Sequence, residues 1–165
     1  MDKLNRELRE MAENAGMCDK VKGEWNESWD MDTMADKMLS NINFCAQRRF
    51  PDKDYLIKNF DRAWLRNKGI IADDRYSLLN PERALITGMS DSHIRFNGIS
   101  SGKIHIQGEA KVDITAKNRS HVIVHVWDRA QVEAEKEDKA RILIIRHSRD
   151  AVVIAGTDIP IRDVL

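Results

Sequence analysis

The chain has little of what small proteins use for special devices. Among its 165 residues there are two cysteines, three prolines and eight glycines, and aromatic residues make up 6%. Cys18 and Cys45 are too few for a disulfide framework, which excludes the stapled secreted scaffolds. The first residues, Met1-Asp2-Lys3-Leu4-Asn5-Arg6, are polar and lack the apolar stretch of a secretory signal. No run approaches the ~18 apolar residues of a membrane span. These absences predict a cytoplasmic protein with free thiols and no membrane partner. Lys+Arg and Asp+Glu each count 27, so net charge is zero. With no global field to draw an anionic polymer, no nucleic-acid partner is expected. A Gly-x-Ser-x-Gly elbow, a phosphate loop and a dinucleotide fingerprint are all missing.

The N-terminal part carries helical spacing. Leu4, Leu8, Met11 and Ala12 predict a helix over 2–14. Gly16, Gly23, Trp25 and Trp29 mark a loop over 15–30. Asp30 is placed to cap a helix over 31–47, in which Met31, Met34, Ala35, Met38, Ile42 and Cys45 share one face. A third helix over about 52–66 follows Phe50-Pro51 and stops at Gly69. Ile70-Ile71-Ala72 reads as a short strand and Asp73-Asp74 as a turn. The Met stripe reads as core packing. Trp25 and Trp29 read as a plug between the helices and the C-terminal half, with a ligand clamp as the alternative.

The C-terminal half is a repeat. Ala110-Lys-Val112-Asp-Ile114, Ser120-His-Val122-Ile-Val124, Ala130-Gln-Val132-Glu-Ala134, Ala140-Arg-Ile142-Leu-Ile144 and Asp150-Ala-Val152-Val-Ile154 succeed one another every ten residues. The first position is mostly small; the third and fifth are aliphatic. Gly108, Asn118, Asp128, Asp138, Ser148 and Asp158 keep the same beat with residues that suit tight corners. Two earlier units, beginning at Ser92 and Gly102, fit with a shift. Five alternating residues are a short strand with one inward face. One unit buries almost nothing, whereas stacked units bury a continuous Val/Ile column. The predicted fold is therefore mainly β with a helical N-terminal region. Residues 1–76 form the helical part. Residues 77–165 form a small parallel β-solenoid of ten-residue repeats, at ~20 residues per coil, capped or covered by the helices as one compact unit.

Two units per coil separate the strands into two faces. Units beginning at 110, 130 and 150 fall on one side, whose outward residues are Lys111, Asp113, Thr115, Gln131, Glu133 and Glu135. Units beginning at 102, 120 and 140 fall on the other, whose outward residues include His105, Ile123, His125, Leu143 and Ile145. A solvated face should not carry such an apolar column. The N-terminal helices are the expected cover, and a second copy of the chain is the alternative. Pro160 cannot donate a ladder hydrogen bond, so it blunts the last edge against further stacking.

The combination of Gly23-Glu-Trp25, Phe44-Cys45 to Phe50-Pro51, Gly69-Ile70-Ile71-Ala72-Asp73-Asp74 and the decads resembles a group of small proteins of Bacteroides-type gut bacteria and their phages. The resemblance covers nearly the full length. It implies a mobile-element origin and no particular activity.

Candidate chemistry is sparse. His105, His121 and His125 share one side, which raises a three-histidine metal site; but His121 and His125 are ~13 Å apart along a strand, and surface or interface histidines are the expected reading. The carboxylates Glu133, Glu135, Glu137 and Asp138 could serve a carbohydrate-acting β-helix enzyme, yet the loops are too short to build its groove. Arg119, Arg129, Lys139 and Arg149 follow acidic or polar corners and are expected to neutralise them. No catalytic, cofactor or metal residue is assigned. The chain is read as a non-enzymatic interaction or scaffold protein with a protein partner, foreign or self. Its interface candidates are His105, Ile123, His125, Leu143, Ile145, Trp25 and Trp29. The alternatives are a self-assembling structural protein and, last, the carbohydrate-acting enzyme.

Overall fold

A computed structural model describes residues 3–165. The helical head comprises α1 (Lys3–Asn14), α2 (Asp19–Glu24), α3 (Met31–Ser40), α4 (Ile42–Arg48), α5 (Lys53–Asn59) and α6 (Arg62–Asn67). The strands are β1 (Ile70–Ala72), β2 (Arg75–Leu79), β3 (Arg83–Thr87), β4 (Asp91–Phe96), β5 (Ser101–Ile106), β6 (Lys111–Ala116), β7 (His121–Val126), β8 (Gln131–Lys136), β9 (Arg141–Arg146), β10 (Val152–Ala155) and β11 (Ile161–Asp163).

The head is more broken than the apolar spacing predicts. The helix expected over 2–14 runs as α1, and Asp2 lies outside the described residues. The stretch read as a loop over 15–30 contains the short α2. The helix expected over 31–47 divides into α3 and α4 at Asn41, whose backbone leaves helical geometry. The one expected over 52–66 divides at Phe60 into α5 and α6. Asp61 starts the second piece by accepting hydrogen bonds from the Ala63 and Trp64 N–H groups. Asp30 caps α3 as its position suggests, accepting from Thr33 N–H at 2.8 Å. Each cap satisfies N–H groups that a helix start leaves unpaired, and so fixes where the chain turns.

The rest is a parallel β-solenoid. Strands alternate between two sheets, ordered β1-β3-β5-β7-β9-β11 (sheet A) and β10-β8-β6-β4-β2 (sheet B), every pair parallel. In the central coils Asp91 pairs with Lys111 and Lys111 with Gln131; Ser101 pairs with His121 and His121 with Arg141. One coil therefore takes twenty residues. The sides are as the decads predict: β6, β8 and β10 in one sheet, β5, β7 and β9 in the other.

The corners explain the beat. Gly88, Gly98, Gly108, Asn118, Asp128 and Asp138, ten residues apart, all have positive φ. Glycine adopts this left-handed backbone freely, and Asn and Asp tolerate it better than other residues. The acidic and hydroxyl corners also bond the coil before them. Gly108 N–H donates to Asp128 Oδ2 at 2.9 Å, Asp128 N–H to Ser148 Oγ at 2.7 Å and Asn118 N–H to Asp138 Oδ2 at 3.2 Å. The beat reaches back to Gly88 without the shift that the sequence suggests. Ser92 pairs with Val112 and Gly102 with Val122, so the small first residues of these two units are Ser90 and Ser100, not Ser92 and Gly102.

Inside, Ala110, Val112, Ile114 and Ala116 face Val122, Val124 and Val126 across a narrow interior, and the series continues through Val132, Ala134, Ile142 and Ile144, all buried. Phe96 fills the place held one coil later by Ala116. It leaves no room opposite: a Cβ on Gly102 would stand 2.5 Å from its ring. A second cluster, containing Leu8, Ala12, Met34, Cys45 and Phe50, is the core of the head, and Leu56, Leu65 and Ile70 join head to solenoid.

The last coil corrects the sequence reading. Val152 pairs with Gln131 and Ile154 with Glu133, so these two point outward, 47% and 60% exposed. Val153 and Ala155 point inward instead. The corner at Ser148-Arg149-Asp150 is one residue longer than its predecessors, and Ala151, not Asp150, takes the small buried position. Because strand side chains alternate, that one residue exchanges the two faces of β10.

Candidate functional site

The outward face of sheet A is built from columns one coil apart. One runs Arg83, Lys103, Ile123, Leu143; the next runs Leu85, His105, His125, Ile145. A third, just past the strand ends, holds Gln107, Trp127 and His147. The head covers this face only in part. Helices α5 and α6 lie on β1, α3 and α4 on β3, and α4 reaches β5. Beneath them His105 is fully buried. The coils of β7 and β9 extend beyond the head, so Ile123 is 38% exposed while His125, Leu143 and Ile145 are half-buried. The helices thus cover the upper coils of the face and not the whole apolar column.

Four rings meet at the boundary between covered and open parts. His105 stacks on His125 with ring centres 4.3 Å apart, and His147 lies on Trp127 at 3.8 Å, each pair within 5° of parallel. His125 Nδ1 and His147 Nε2 share a hydrogen bond of 2.9 Å, and Trp127 Nε1–H donates to His105 Nδ1 at 3.4 Å. An acceptor Nδ1 places the neutral His105 proton on Nε2. Burial pushes the His105 imidazole down to about 3, with His125 and Lys103 adding repulsion of a positive charge. Burial likewise lowers His125 to about 4, and lowers His147. The rings are neutral near pH 7. This arrangement does not suit a metal. Face-stacked imidazoles direct their in-plane lone pairs side by side, whereas zinc needs nitrogens converging at ~2.0–2.1 Å. His121 stands at the exposed start of β7 beside Ser101 and Arg141, in a different column. Among the described residues no group of three or more His, Cys, Asp or Glu is placed to hold a metal ion.

A groove of about 840 Å³ runs over the open part of sheet A, floored by Ile123, Leu143 and Gly102 and flanked by four cations, Arg83, Lys103, Lys136 and Arg141, against two carboxylates, Glu82 and Asp158. Among the described residues these four cations make no ion pair, while Arg129 pairs with Glu109, Lys117 with Glu137, Arg49 with Asp128 and Arg146 with Asp163. Of the four basic residues expected to neutralise the corners only Arg129 makes an ion pair, with Glu109; among the described residues Arg119, Lys139 and Arg149 make none.

Trp25 and Trp29 do not plug the junction with the solenoid. They sit in the head core, ring centres 5.4 Å apart, beside a hollow of about 690 Å³ that Met17, Met38 and Phe44 also line. The fully buried Asn5 of α1 holds their loop. It accepts from Trp25 Nε1–H at 2.8 Å and donates to the carbonyls of Asn26 at 3.2 Å and Trp29 at 3.0 Å. Separate contacts hold the head to the first coils. Arg66 makes a two-pronged pair with Asp74 at 2.7 and 2.8 Å and lies over the Tyr76 ring, and Lys53 reaches Asp73 at 2.7 Å. The Arg66 guanidinium holds the Asp74 carboxyl below its usual range.

Trp127 and His147 escape the repeat pattern because they lie past the strand ends, beyond the five alternating positions of each unit. A tally of outward residues at a spacing of twenty, carried through position 107, finds them. No helix of the described residues is long and apolar enough to cross a membrane. Comparison with family models, curated proteins and solved structures returns no match.

Proposed function

We propose that the protein is a non-enzymatic interaction module, with the open part of sheet A as its docking face. One observation carries this reading. The outward column Arg83–Lys103–Ile123–Leu143 passes from two unpaired cations to two aliphatic side chains over a groove that the head leaves uncovered. A rigid parallel sheet with an apolar floor and a basic rim suits a partner segment that brings apolar side chains and carboxylates together. The head, tied to the upper coils by Arg66 and Lys53, would fix the orientation of the face and close its upper end. The segment can come from a foreign protein, as the resemblance to proteins of Bacteroides-type gut bacteria and their phages would suggest, or from a second copy of this chain.

The test is selection of displayed random peptides on the intact protein. Recovered peptides are expected to be acidic and apolar, and to lose at least tenfold in affinity for Ile123→Glu and Arg141→Glu proteins whose circular dichroism is unchanged. Peptides that bind these variants as well as the original, or that lack acidic character, would overturn the reading.

A further inference from the structure

The register change in β10 gives the opposite side of the solenoid a patch that complements the groove. On sheet B, Val152 and Ile154 project into solvent beside the exposed carboxylates Glu133 and Glu135. Neither carboxylate makes an ion pair among the described residues. Sheet A carries Ile123 and Leu143 beside Lys103 and Arg141. The sheet B patch is apolar and acidic, and the sheet A groove is apolar with cations outnumbering carboxylates four to two.

We infer that the occupant of the sheet A groove is the sheet B patch of a second copy of this chain. The inference rests on the docking role proposed for sheet A and names its partner. A symmetric contact of either patch with itself would set like charges against each other and cost binding energy. Contact between the unlike patches pairs carboxylates with guanidinium and ammonium groups while covering aliphatic side chains on both sides. The two patches lie on opposite faces of one flattened coil, so a molecule can use both at once, with a different neighbour on each. The contact is therefore head-to-tail, and copies add side by side instead of closing a dimer. This route leaves the coil ends out, in keeping with the donor lost at Pro160.

The experiment uses the full chain and two variants, one with a spoiled groove (Ile123→Glu with Arg141→Glu) and one with a spoiled acidic patch (Glu133→Gln with Ile154→Gln), so that the two spoiled faces carry no opposite charges to attract each other. All four positions are exposed, and retained circular dichroism confirms folding. Light scattering of the unaltered protein is expected to show a mass that at least doubles with rising concentration, without a plateau at the dimer, and that falls with added salt. Each variant alone is expected to remain monomeric. Mixed in equal amounts they are expected to form a discrete dimer, one of each, because each keeps the face that the other lacks. An unaltered protein that is monomeric throughout overturns the inference, as does a dimer spoiled by the groove variant and untouched by the patch variant, or a mixture that stays monomeric. If the monomer nonetheless binds acidic apolar peptides through Ile123, the docking reading survives and the self-association does not; if it binds none, both fall.

Discussion

The indole of Trp127 and the imidazole of His147 lie face to face at 3.8 Å, twenty residues apart in sequence and one coil apart in space. Their stack continues through His125 to the buried His105, so a column of neutral rings joins the open coils of sheet A to the covered ones.

That column makes stability depend on pH. Above about 6.5 the imidazoles are neutral in folded and unfolded chains alike, and they contribute no pH dependence. As pH falls the unfolded chain takes up protons first, since burial holds His125 near 4 and His105 near 3. Stability is then lost progressively, by up to ~1.4 kcal/mol per pH unit for each ring that stays neutral. Denaturant midpoints at pH 7 and pH 5 are expected to differ in this direction, with a smaller difference for His105→Phe. Carboxylates contribute little in that interval, so a midpoint unchanged between the two would contradict the neutral stack.

The register of the last coil can be read from paired substitutions. Ile154→Lys places a charge where the side chain is already in water, and is expected to change stability by less than ~0.5 kcal/mol. Val153→Lys puts the same charge toward the interior and is expected to cost more than ~1 kcal/mol. Equal costs, or the reverse order, would show that β10 keeps the uninterrupted ten-residue beat.

At the corners, backbone conformation should dominate. Asp138 has φ of 58°. Asp138→Gly keeps that backbone without strain and loses one bond to Asn118 N–H, whereas Asp138→Val also meets a steric penalty of roughly 1–2 kcal/mol. Thermal melts are expected to rank the original first, glycine second and valine last. A valine variant as stable as the glycine one would remove the left-handed corner as the origin of the repeat.

Asn5 is a single polar residue on which the Trp loop depends. Asn5→Leu leaves the Trp25 N–H and two carbonyls without partners, at ~1–3 kcal/mol for each group that stays buried. Near-ultraviolet circular dichroism should lose the signal of the Trp25–Trp29 pair while the far-ultraviolet strand signal persists. Unchanged aromatic signal would mean that the loop is held by packing alone.

The solenoid was legible because two independent constraints repeat together. A corner residue must accept positive φ, and the position two residues on must be small, so Asn118 and Ser120, or Asp128 and Ala130, announce each turn twice. The exchange of faces in β10 was hidden because Val152, Val153, Ile154 and Ala155 are apolar in both parities, and either register satisfies alternation. The available signal was Asp150, which the unbroken beat sets where every other unit has alanine or serine; Ala151 restores the rule. In the head, Asn41 and Asp61 interrupt helices through backbone geometry and capping, to which apolar spacing is blind. The extent of helical cover over sheet A depends on how a few contacts seat the head, among them Arg66 with Asp74, and no periodicity encodes that.

Because every central pair is offset by one full coil, the protein has a natural unit of length. Excising residues 111–130 would bring Gln131 against Asp91, and duplicating them would seat a copied Lys111 between Lys111 and Gln131, with each inward column still continuous. The head and the terminal coil would keep their own neighbours and move closer together or farther apart. Insertions that are not whole coils would throw the corners out of line. The gene can therefore lengthen or shorten this protein in sixty-nucleotide steps, setting the spacing between its two ends as the rungs of a ladder set its height.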